Sequence, residues 1–207
     1  MTWLLLWACS PEYHVVDEPV EPPPPPPEAS LDDAGAPPSD WEACTLGAFG
    51  TYYNLPADHP DVEPTVDDPP PAGPDATDWF DDERAVWTRF DPSLDFGRGW
   101  WPVDDGLEGD PAYFSASWAA WVRVWTPGAY AVVLGAGGDA WVELDGVVVA
   151  EAHHLDDFEA EAPIIDLEAG VYPLRVRFAH RTEAADGFQF RVAATDDDVS
   201  VCAPELR

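Results

Sequence analysis

Regular alternation of apolar and polar residues constrains the fold of this chain more than any other feature of its sequence. Tyr172, Leu174, Val176 and Phe178 alternate with more polar residues, two of them arginines, and this period of two places the four side chains on one face of a strand. Segment 188–192 repeats the pattern, and no window shows a helical period. Short strands separated by turn residues predict an all-β, antiparallel sandwich or barrel.

Further strands are predicted upstream of this segment. Residues 117–125 and 130–134 carry alternating Trp, Tyr, Val and Leu, and the second strand is expected to end at the glycine-rich residues 135–138. Asp145 and Gly146 separate two apolar runs and predict a tight hairpin, because both turn positions need positive φ.

The first part of the folded region is less regular. Residues 51–53 and 85–90 read as strands, whereas residues 67–78 contain four prolines and few apolar side chains. We expect this last segment to be a surface loop.

The N-terminal region has a different composition and predicts a stalk. Residues 22–27 are six consecutive prolines, and proline lacks the backbone donor that a helix or an interior strand needs. We therefore divide the chain into an export segment at 1–9, a disordered, proline-rich, acidic linker at 10–43 and a folded domain at 44–203.

The export segment ends in a motif similar to a bacterial lipobox. Leu6, Trp7 and Ala8 precede Cys9, the residue that would carry lipid after export. The apolar stretch is shorter than an ordinary signal sequence and no Lys or Arg precedes it, so an unmodified apolar N-terminus is the alternative. Lipidation predicts an exported protein anchored at the bacterial cell envelope or surface.

Three cysteines leave one unpaired in any disulfide scheme. If Cys9 carries lipid, Cys44 and Cys202 remain, one at each end of the folded region. A bridge between them would join the two ends of the domain. The alternative is two isolated thiols.

The charge balance limits the range of partners. The chain has 41 acidic and 9 basic residues and a formal net charge of -32, and every basic residue other than histidine is an arginine. Such a chain repels phosphate backbones and anionic membranes, so we expect no nucleic-acid partner and membrane contact only through a lipid at Cys9. Cations, glycans or a basic protein fit the charge, and solubility alone is the alternative reason for it.

The sequence contains no convincing catalytic motif. Residues 135–140 fit a loose dinucleotide-binding pattern, G-x-G-x-x-A, but a strand follows them where that motif requires a helix. A G-x-S-x-G nucleophile motif is absent. Paired carboxylates such as Asp81-Asp82 lie in polar segments of a strongly acidic chain and indicate solvated surface. We predict that the protein is not an enzyme, with a hydrolase as a distant alternative.

Several segments together resemble the PA14 domain family, and the likeness covers residues 46–194. Residues 50–54 look like the opening strand of that family, and His59-Pro-Asp61 is shared with the neighbouring fibro-slime domains. The other segments that carry the resemblance are 91–96, 109–118, 122–130, 140–146 and 168–177. The resemblance implies a β-sandwich or barrel of the kind found in adhesins, toxins and carbohydrate-active proteins, which commonly bind glycans.

One departure from the family bears on metal binding. In sugar-binding members, two consecutive aspartates before the hairpin hold a calcium ion, and here Gly137 and Gly138 occupy those positions. Asp139 is the only acidic residue next to them. The departure argues against calcium-dependent sugar binding, so no cofactor is expected. A weak calcium site would have to use Asp139 with Asp156 or Asp157.

The resemblance also places two loops, 135–140 and 150–162, at one end of the sheet. The second carries His153, His154, Asp156 and Asp157, our candidate ligand-binding residues, together with further glutamates. We predict a non-catalytic cell-surface module that binds a glycan or another envelope or extracellular protein, and the alternative is a structural spacer without a ligand. A concave, aromatic-lined surface at this loop would favour binding.

The lipid anchor can be tested directly. Replacing Cys9 with Ser is expected to abolish incorporation of a labelled fatty acid, because the serine has no thiol to modify. Metabolic labelling of both forms in a bacterial host measures this. Equal label in the two forms would show that Cys9 is not the site of lipid attachment.

Overall fold

A computed structural model describes residues 36–64, 69–100, 113–183, 187–195 and 198–205. These residues form ten antiparallel strands and two short 3-10 helices, so the predicted all-β class is confirmed. The strands are β1 (Ala48–Asn54), β2 (Ala85–Asp91), β3 (Asp95–Arg98), β4 (Phe114–Val124), β5 (Gly128–Leu144), β6 (Val147–Glu161), β7 (Ile164–Leu167), β8 (Gly170–His180), β9 (Gly187–Ala193) and β10 (Val199–Cys202). The 3-10 helices are Pro74–Ala76 and Asp82–Arg84.

The strands form one curled sheet. Its order is β2-β1-β4-β8-β5-β9-β3, with β10 paired to β4 and with β6 and β7 paired to β5. β5 therefore has four partner strands. Residues 139–144 of β5 pair with β8 and residues 131–136 pair with β9, while β6 and β7 occupy its other edge.

The glycine-rich segment of β5 differs from the sequence-based prediction. Residues 135–138 do not end a strand, because β5 runs without interruption from Gly128 to Leu144. The backbone of Gly138 has φ of 140°, and a Cβ placed there would lie 2.2 Å from the carbonyl oxygen of Ala179. Only glycine fits at this point, where the partner of β5 changes from β9 to β8.

The segment predicted as a loop at 150–162 is also mostly strand. β6 extends from Val147 to Glu161 and pairs with β5 over most of that length. Its polar composition reflects its position, because β6 pairs with β5 alone and edge strands commonly carry charged residues. The predicted hairpin before it is confirmed: Asp145 and Gly146 have φ of 52° and 74° and join a pair formed by Leu144 and Val147.

Two apolar clusters stabilise the domain. The main cluster lies inside the curled sheet, where the indole of Trp118 on β4 stacks on Phe188 of β9 at a centroid distance of 4.9 Å. A smaller cluster lies on the opposite face of β5 and β8, under the segment 55–80. It consists of Leu55, Trp79, Tyr113, Trp141 and Ala179.

A buried carboxylate joins the first three strands of the sheet. Asp91 is 3% exposed and accepts hydrogen bonds from the Tyr52 hydroxyl at 2.7 Å and the Trp118 indole at 2.8 Å. Arg89 donates to its second oxygen at 2.6 Å. Burial raises the pKa of Tyr52, so the phenol stays protonated and acts as a donor.

The ends of the folded region meet at a disulfide. Cys44 and Cys202 are bonded with their Cα atoms 5.9 Å apart, which confirms the predicted pair. Residues 36–43, assigned to the linker from the sequence, contact the C-terminal residues: Ala36 forms a bridge with Glu205, and the Ser39 backbone donates to the Glu205 carboxylate at 2.6 Å.

The predicted export segment, most of the predicted linker and Cys9 lie outside the described residues. Within the described part of the chain, no helix is long and apolar enough to cross a membrane.

Removing the disulfide is expected to destabilise the domain strongly. The bridge closes a loop across 158 positions of sequence, and on the chain-entropy model such a loop contributes about 4–5 kcal/mol. Denaturant unfolding of a Cys44→Ser, Cys202→Ser double variant measures the change. Wild type under reducing conditions is the control and should unfold with the variant. A difference from the oxidised wild type below about 1 kcal/mol would contradict this role.

Candidate functional site

A polar pocket of about 330 Å³ lies where β5, β6 and the end of β8 meet. It brings together every candidate ligand or metal residue predicted from the sequence. The lining residues are Pro70, Asp139, His153, His154, Leu155, Asp156, Asp157, Glu159 and Arg181.

A bulge in β6 gives the pocket its shape. His154 pairs with Gly138 and Glu159 pairs with Ala136, so four β6 residues lie opposite the single residue Gly137. The extra residues cannot continue the regular ladder. Asp156 and Asp157 lie in this bulge and are exposed.

Asp139 is the buried carboxylate of the pocket. It is 1% exposed, and its Oδ2 accepts a hydrogen bond from Arg181 Nε at 2.7 Å and lies 2.5 Å from Nη2. Its Oδ1 lies 2.8 Å from Nδ1 of His153. The sequence predicts Asp139 to lie in a loop, where it could belong to a weak calcium site. Here a cation would have to displace the guanidinium of Arg181 from it.

Arg181 is the functional residue that sequence reasoning missed. Besides Asp139, it donates from Nη1 to the Asp61 carbonyl at 2.7 Å, and its guanidinium lies 4.4 Å from the centroid of the Trp79 ring. The Trp79 indole donates to the Asp61 carboxylate at 2.8 Å. Arg181 thereby connects Asp61 and Trp79 to the sheet. No local sequence pattern around position 181 predicts this role.

The two histidines differ in their surroundings. A carboxylate only accepts hydrogen bonds, so His153 donates from Nδ1 to Asp139 and, in the neutral ring, presents Nε2 as an acceptor. Nδ1 of His154 lies 3.8 Å from the Glu159 carboxylate. Nε2 of His154 is buried and has no hydrogen-bond partner within the described residues.

The two aspartates of the bulge also differ. Asp157 accepts hydrogen bonds from Arg98 and from the Phe158 backbone, and the bond from Arg98 lowers the pKa of Asp157, which keeps it ionised. Asp156 makes no hydrogen bond or ion pair with any described residue. Its carboxylate faces solvent and is available to a ligand.

The pocket is concave but polar. The described residues that line it include no aromatic side chain, unlike the surface that would most favour a binding module. Phe158, the nearest aromatic in the bulge, lies under the Arg98 guanidinium at 5.4 Å. A Cβ on Gly135 would lie 2.6 Å from its ring, so this ring packs onto the sheet instead.

A second polar cluster, His59, Asp61 and Asp78, has its potential ligand atoms within 4.8 Å of one another. Nδ1 of His59 accepts from the Asp61 backbone at 3.1 Å, which leaves Nε2 to donate to Asp78 at 3.0 Å. Arg84 donates to the other Asp78 oxygen at 2.6 Å. Both ring nitrogens therefore have hydrogen-bond partners, and the cluster connects the loops around positions 60 and 80.

Neither a protein-family model nor a curated protein matches the sequence. The fold does match solved structures. It is similar to a PA14 sugar-binding domain from an RTX adhesin, with a TM-score of 0.51 and 17% identity over 72% of this chain and 88% of that one. It is similar to the PA14 domain of the MpAFP antifreeze protein, with a TM-score of 0.52 and 16% identity over 81% and 92% of the two chains.

A β-glucosidase from Kluyveromyces marxianus also matches, with a TM-score of 0.52 and 19% identity, over 81% of this chain but only 19% of the enzyme. The likeness therefore concerns one part of that enzyme. The chain has a PA14-like fold, as the sequence resemblance predicted.

The Asp139–Arg181 pair is expected to stabilise the domain. An Asp139→Asn substitution leaves the buried guanidinium without its counter-charge, which costs about 3 kcal/mol of unfolding free energy. Chemical denaturation measures the loss. Asp166→Asn, at an exposed position of β7, is the matched control and should change stability by less than about 0.5 kcal/mol. Equal stability of the two variants would show that Arg181 does not depend on Asp139.

Proposed function

We propose that the protein is a non-catalytic surface module that binds a glycan in the pocket between β5 and β6. The observation that carries this proposal is the pocket itself. Its volume of about 330 Å³ lies within the range of small-molecule sites, and its walls are carboxylates and imidazoles, which hydrogen-bond to hydroxyl groups. The likeness to a domain described as sugar-binding supports the choice of ligand.

The chemistry of the pocket favours binding over hydrolysis. Cleavage of a glycosidic bond requires one carboxyl group that remains protonated and a second one that is ionised. The buried Asp139 is paired with Arg181, and the lowered pKa of Asp157 keeps that residue ionised. Neither of them is suited to donate the proton.

The disulfide supports an exported location, because such bonds form and persist in oxidising compartments. With lipid on Cys9, the stalk would hold this pocket away from a membrane. The absence of aromatic side chains among the described lining residues favours the second candidate, a structural spacer without a ligand.

A glycan array probed with the purified full chain tests the proposal. We expect binding to a subset of glycans, and the Asp156→Asn variant should lose about tenfold in affinity because a charged acceptor is removed from the pocket. Asp166→Asn, which removes the same charge from β7, should bind like the wild type. We expect a calcium chelator to leave binding unchanged, since Arg181 already occupies the carboxylate of Asp139.

Absence of binding to every glycan by the wild type would favour the spacer. Equal binding by the two variants and the wild type would place any glycan site elsewhere on the protein.

A further inference from the structure

We propose that the pocket selects a ligand with a primary ammonium group beside hydroxyls, as in an amino sugar whose amine is not acetylated. This inference rests on the proposed glycan site and specifies its ligand class. It follows from the hydrogen-bonding character and the charge of the lining side chains.

The strong donors of the pocket are already used within the protein. Arg181 is the one arginine among the described residues that line the pocket, and it directs Nε and Nη2 to Asp139 and Nη1 to the Asp61 carbonyl. His153 uses its Nδ1 proton on Asp139. A ligand that needs donors from the protein, such as a carboxylate or a sulfate, therefore finds few of them here.

Acceptors remain in excess. Asp156 makes no contact with a charged group of the described chain, and Glu159 has only the ring of His154 nearby, at 3.8 Å. In the neutral ring, Nε2 of His153 adds an acceptor, which lies 3.9 Å from the Glu151 carboxylate. An ammonium group carries three donors and no acceptor, so it complements these groups better than a hydroxyl or an acetamide does.

The negative charge of the pocket also favours a ligand with an ammonium group. Among the described residues, Arg181 pairs with Asp139 and Arg98 pairs with Asp157, whereas no arginine forms an ion pair with Asp156 or Glu159. Nε2 of His154 is buried and lies 3.8 Å from the Glu161 carboxylate, so it is not one of the groups open to a ligand. A bound cation restores the balance of both charge and hydrogen bonds.

Isothermal titration of the full chain at pH 6.5 tests the inference with three trisaccharides, one of glucosamine, one of N-acetylglucosamine and one of glucose. We expect the glucosamine trisaccharide to bind at least about tenfold more tightly than the other two, which is the effect of one charge-assisted contact. In Asp156→Asn the glucosamine trisaccharide should lose about tenfold more affinity than the two uncharged sugars lose, so its preference disappears.

The matched control is Asp166→Asn, which removes an equal charge from β7 and should keep the preference. If that variant weakens glucosamine binding as much as Asp156→Asn does, the attraction comes from the overall charge of the chain and the inference is overturned. Equal affinity of the wild type for all three sugars, or binding only to other glycans, overturns the inference and leaves the proposed function standing. Binding to no glycan at all overturns both.

Discussion

One continuous strand that changes its partner partway along organises this protein. β5 pairs with β8 and then with β9 along one edge, and with β6 and β7 along the other. The change of partner occurs at Gly138, where the carbonyl of Ala179 approaches so closely that no side chain fits. An aspartate at Gly138, which the resemblance to PA14 domains would lead one to expect, would collide with β8.

The buried pair of Asp139 and Arg181 connects the sheet to the segment that covers its outer face. Arg181 contacts Asp61 and Trp79 as well as Asp139, so one guanidinium joins β5, β8 and the covering segment. Asp139 thereby has a structural role. The groups left to meet a ligand are the exposed carboxylates and imidazoles of the β6 bulge.

The extreme acidity of the chain has a structural counterpart in how its arginines are used. Among the described residues, Arg84, Arg89, Arg98, Arg177 and Arg181 form ion pairs with carboxylates of the domain. Several of them also stack on aromatic rings. Because these cations are paired with carboxylates, the remaining exposed acidic residues dominate the surface that a partner meets, and this favours neutral or cationic ligands.

From the sequence alone, several of the strands, the Asp145-Gly146 hairpin and five of the pocket residues could be predicted, and the Cys44–Cys202 bridge was one of two alternatives. These features follow from local signals: a period of two, a turn dipeptide, the cysteines at the two ends, and an excess of polar residues at 153–157. The tertiary structure decided that the glycines at 135–138 continue a strand, since β9 and β6 pair with Gly135 and Ala136, and β6 pairs with Gly138. It also decided the partner of Asp139. Arg181 is 42 positions away. The partner of a buried charge depends on which strand packs beside it in the fold, and no local sequence pattern predicts that.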